Sequence, residues 1–126
     1  MWDVHKVKLA LGGKLIGNPL VKTLVCETIL LLPDEIIDYV TRSVWFMSSS
    51  NDAWAYTFTG RDLTQKHLIF LSDELFKEEL FQVQYTILHE IGHVILGHKN
   101  SIGRKQTESE IRIQEIAADK FARKYL

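Results

Sequence analysis

The segment HEIGH, residues 89–93, sets two histidines and a glutamate inside a stretch that is otherwise strongly apolar, with Ile87, Leu88, Ile91, Val94, Ile95 and Leu96 around them. Ionisable groups among core residues need partners, because burying them unpaired is costly. On a helix, residues four apart share a face, so His89 and His93 offer two imidazoles to one point. That arrangement suits a tetrahedral cation, zinc above all. Glu90 lies about 100° further round the helix, too far to ligate beside both histidines. It reaches a water on the ion instead, and is the expected general base on that zinc-bound water. The plainer explanation, a chance spacing on an ordinary core helix, leaves these polar groups unexplained.

Two ligands do not make a site. His98 is the nearest further histidine, but it falls five residues after His93. On a continued helix that spacing turns it about 140° away from the His93 face. The metzincin spacing requires a glycine and a histidine where Leu96 and Lys99 stand; Gly97 and His98 each miss by one. The better third ligand is Glu115, in the segment QEIAADKFA, which shares a helix face with Asp119. His89, His93 and Glu115 then form a His, His, Glu set with one position open to water, as in catalytic rather than structural zinc centres. Asp119 is placed to accept the free ring N–H of a ligating histidine. Against this stands the reading of both acids as solvated charges, with Lys120, Arg123 and Lys124 as counterions.

The rest of the chain fits one domain spanning residues 1–126. With 46% apolar and 25% charged residues, it can bury a core of its own. A net charge of −1 offers no electrostatic footprint for nucleic acid or an anionic membrane. Cys26 is the only cysteine, which excludes an intrachain disulfide and a thiolate metal cluster and fits a reducing cytoplasm. No signal peptide is expected from MWDVHKVKLA, and the apolar run from Leu20 to Leu32 carries Lys22 and Glu27 and is too short to span a bilayer.

Patterning along the chain predicts an α+β domain. Residues 4–11 alternate weakly and suggest a first strand. Asn18 followed by Pro19 starts a helix, and Pro33 with Asp34 and Glu35 starts another, ending near Arg42. Residues 43–47, 53–59 and 67–71 are aromatic and β-branched, separated by turn-forming residues, and predict a small antiparallel or mixed sheet. Ser72 and Asp73 begin the stretch carrying HEIGH, with a break near Lys77 to Glu79 and a stop at Gly97. Residues 99–106 read as a loop. Thr107 with Glu110 forms a capping box that opens a last helix bearing Ile113, Ile116, Phe121 and Tyr125.

HEIGH followed by EIAADKFA resembles the gluzincin zinc metallopeptidases, whose second motif is a glutamate ligand with an aspartate four residues on. The run HLIFLSDELF ahead of the motif is similar to the strand, turn and helix of HtpX-type, prenyl-protein-processing and ImmA/IrrE-type peptidases, so that the likeness covers residues 51–126. It implies a minimal zincin-like fold, in which a sheet packs on an active-site helix and a C-terminal ligand helix. It further implies one zinc ion per chain held by His89, His93 and Glu115, Glu90 as general base, Asp119 orienting the first histidine, and a protein or peptide as substrate. The family's oxyanion-stabilising residue after the second motif has no counterpart before Leu126; Tyr85 as a half-buried helix residue, His67 as a polar group at a strand start and Tyr125 as a hydrophobic C-terminal anchor each have an ordinary role, and none is assigned to it. The alternative is a zinc-binding regulatory or interaction module with a peptidase fold and little activity. Oligomeric state is not specified by the sequence.

Overall fold

The computed structural model describes residues 1–49, 67–97 and 107–126. The expected strand at 53–59, the loop at 99–106 and His98 lie outside the described residues.

The first segment is a helix, α1 (Val4–Leu11), and not a strand. Asp3 caps it, its carboxylate accepting the Lys6 N–H at 2.8 Å, and the residues it buries, Val7 and Leu11, are four apart. A weak alternation over so few residues loses to a cap that satisfies a free helix donor. Gly12, at φ +54°, ends α1, and a single 3-10 turn leads to the short strand β1 (Leu15–Ile16).

Helix α2 (Pro19–Ile29) begins as expected, with Asn18 Oδ1 accepting the Val21 N–H at 2.9 Å and Pro19 in the first turn. Helix α3 (Asp34–Ser43) carries Asp34 and Glu35 at its positive end and Arg42 at its negative end. Cys26 is buried, as a small apolar residue would be, and burial pushes its thiol pKa up.

The sheet corrects the expected strand direction. Strands β2 (Val44–Ser49) and β3 (His67–Ser72) run parallel, in register from Val44 opposite His67 to Ser49 opposite Ser72. β1 is parallel to β2 as well, giving the order β1-β2-β3. Parallel pairs need crossovers, and α2 with α3 supplies the one between β1 and β2. In β2, Val44, Phe46, Met47 and Ser48 are all buried, a nearly continuous pattern typical of a parallel strand covered on both faces. β3 alternates instead, burying Ile69 and Leu71 while Leu68 and Phe70 are exposed.

After β3 the chain makes a 3-10 turn (Asp73–Lys77), then enters α4 (Leu80–Ile95), so the expected break is present. Gly97 follows the end of α4 at φ +70°. Glycine adopts that conformation without penalty, having no Cβ to clash. Val83, Ile87, Leu88 and Ile91 fix α4 in the core beside Val25, Ile29 and Phe46.

The last helix, α5 (Glu108–Tyr125), starts where Thr107 Oγ1 accepts the Glu110 N–H at 3.1 Å. Its buried positions are the small Ala118 and Ala122, whereas Ile113 and Ile116 face solvent. No described helix is long and apolar enough to cross a membrane.

Candidate metal centre

Two helices bring the polar groups together. α4 presents His89 and His93 one turn apart, their ring centroids separated by 4.8 Å and their planes nearly perpendicular. α5 presents Glu115 against both. Its Oε2 lies 2.9 Å from His89 Nε2 and its Oε1 lies 3.1 Å from His93 Nε2. The histidine side chains are mostly enclosed, at 16% and 14% exposure, while Glu115 is open at 54%.

What lets α5 approach so closely is Gly92. A Cβ at that position would sit 3.0 Å from Phe121 Cδ1 and 3.2 Å from its Cβ. Gly92→Ala is therefore expected to make the Phe121 side chain give by a few tenths of an ångström. The overpacking cost of about 1–3 kcal/mol, set against the gain of about 1 kcal/mol for alanine over glycine inside a helix, leaves a net loss of about 0–2 kcal/mol. Glu115 is carried on the same helix as Phe121, so any shift of α5 would also move its carboxylate relative to His89 and His93. Urea denaturation and zinc titration of this variant check both effects; unchanged values would show that the contact is slack.

The donor set fits a tetrahedral metal. Ligand atoms about 2.0–2.1 Å from zinc at tetrahedral corners lie about 3.4 Å apart. One ligand atom each from His89, His93 and Glu115 lies within 4.8 Å of the others. Glu90 is half-buried on α4, directly after His89.

Asp119 lies one helical turn beyond Glu115, and both of its oxygens are occupied. Oδ1 accepts the Tyr85 hydroxyl, and Oδ2 accepts Arg123 Nε at 2.9 Å. The Tyr85 hydrogen bond, then that from Arg123, holds the Asp119 carboxyl below the usual carboxylate range. The same bond to Asp119 is the main cause of an upward shift at the Tyr85 phenol. The expected bond from a histidine ring to Asp119 is not formed by His89, whose Nδ1 is buried without a partner among the described residues.

Tyr85 and Arg123 are the residues that sequence reasoning left out of the site. The signal for Tyr85 was its place four residues before His89, which puts it on the same face of α4. Arg123 stands in the same relation to Asp119. His67 pairs with the Tyr39 hydroxyl at 3.1 Å. Tyr125 packs edge-on against Phe121.

No curated protein and no solved structure matches the chain. A family model does match, over residues 79–126, a stretch that holds α4, α5 and every residue of the cluster. In that stretch the chain is similar to the family Peptidase U49, which points to peptidase function.

Proposed function

We propose that the protein is a zinc-dependent peptidase of gluzincin type. His89, His93 and Glu115 hold the ion, and Glu90 acts as general base. The observation that carries this reading is the convergence of two imidazole Nε2 atoms and one carboxylate, from two helices, on a single point. The peptidase-family match over the same residues supports it.

A zinc ion, when bound, polarises the scissile carbonyl and lowers the pKa of water to about 7. The Glu90 carboxylate takes a proton from the attacking water as the water oxygen bonds to the carbonyl carbon and the C=O π pair moves onto the carbonyl oxygen, to reform the double bond when the amine leaves. It then passes that proton to the amine nitrogen as the C–N bond breaks. The two enclosed imidazoles present a pair of donors from α4, and the more open Glu115 completes the set from the other helix.

β3 leads into α4 through a single turn and, among the described residues, pairs only with β2. An extended peptide laid along its other edge gains backbone hydrogen bonds with little demand on its sequence. The substrate class is thus an extended segment of a protein or peptide.

The direct test is a peptide library incubated with the full chain, with and without a zinc chelator. Cleavage that chelation stops and added zinc restores is the expected result. Bound zinc with no cleavage of any peptide would make the protein a metal-binding module instead.

A further inference from the structure

Among the described residues His89 is hydrogen-bonded through one ring nitrogen only, and a zinc ion would come between that nitrogen and its partner. Its Nε2 meets Glu115, while its Nδ1 is buried and has no hydrogen bond among the described residues. A ligating histidine usually has its ring fixed through the nitrogen that does not bind metal. Here the neighbour along α4 is Tyr85, whose ring lies against the His89 ring with centroids 5.8 Å apart and planes inclined by 33°. Tyr85 is itself anchored on the opposite helix, since its hydroxyl donates to Asp119 Oδ1 and Arg123 grips the other oxygen.

We propose that Tyr85 is a positioning residue for the metal centre, and that Asp119 acts on His89 through the Tyr85 hydroxyl and ring rather than by a direct hydrogen bond. Arg123, Asp119 and Tyr85 form a continuous brace from α5 to α4, one turn away from the Glu115 and His89 pair on each helix. The brace sets the plane of the His89 ring and so the direction in which Nε2 is presented. It rests on the zinc reading proposed above.

Zinc affinity of the full chain, measured by chelator competition, tests the brace in wild type, Tyr85→Phe, Asp119→Asn and the double variant. Losing the hydroxyl should weaken zinc binding about tenfold, the lower end of what outer hydrogen-bond partners contribute. Asp119→Asn should lose a similar factor, and the double variant should be no weaker than the weaker single one, because both changes cut the same link. The visible spectrum of the cobalt-substituted protein should shift in Tyr85→Phe, reporting a changed ligand geometry that a merely structural role would leave alone. Circular dichroism checks folding, and Asp119→Asn with its cobalt spectrum carries the test if Tyr85→Phe does not fold.

Wild-type affinity and spectrum in Tyr85→Phe would overturn the brace, as would losses that multiply in the double variant. A weakened Asp119→Asn beside an unaffected Tyr85→Phe would assign Asp119 a direct role and also overturn it. Failure of the wild type to bind zinc would remove the metal reading itself, a result distinct from each of these.

Discussion

Glu90→Gln is expected to keep zinc affinity and fold while lowering peptide hydrolysis by about 10²- to 10⁴-fold, the usual contribution of a positioned general base. Glutamine preserves the size of the side chain and most of its polarity, so the half-buried position on α4 keeps its packing. What disappears is the proton acceptor. Glu90 is absent from the converging donor set, which is His89, His93 and Glu115, so the ligand count is unchanged. Steady-state cleavage of a peptide identified from the library, together with zinc affinity, separates the two roles. Cleavage at the wild-type rate would remove Glu90 as the base; lost zinc would make it a ligand.

Glu115→Ala should have the opposite signature, with metal binding lost and hydrolysis lost with it. Glu115 is the one donor of the set that α5 supplies, and it meets both histidines with separate oxygens. Without it, two imidazoles on a single helix remain, short of the three protein ligands that catalytic zinc sites use. The Glu115 side chain is 54% exposed and fills no core volume. Stability should therefore change little, as is usual for surface substitutions. Excess zinc should restore little activity, whereas a merely electrostatic role for Glu115 would leave stoichiometric binding in place.

How far the sequence foretold this arrangement depends on the range of the interactions involved. Local signals were legible: Asn18 with Pro19 opens α2, Thr107 caps α5, and Gly97 follows the end of α4. The histidine pair was equally plain, because four-residue spacing on one helix needs no tertiary information. Glu115 required a second helix to arrive at the right place, which motif spacing implied and the close contact at Gly92 makes possible.

Long-range features were harder to read. Strand direction in β2 and β3 goes with burial of both faces of β2, a property of the packed chain that a strand's own residues do not declare. In α1, eight residues with little periodicity resemble a strand, while the deciding Asp3 cap lies just outside them. Ile113 and Ile116 look like core residues by type, yet α5 packs through Ala118 and Ala122, since small side chains permit the close approach. The Tyr85 to Asp119 bond is of the same kind, because it exists only through the way α5 sits on α4.

The central claim is that His89, His93 and Glu115 form one metal site, and metal analysis of the purified full chain addresses it most directly. After equilibration with zinc and removal of excess, the wild type should retain one zinc ion per chain, and a His89→Ala, His93→Ala double variant should retain none. Wild-type protein that holds no more zinc than the double variant would contradict the account.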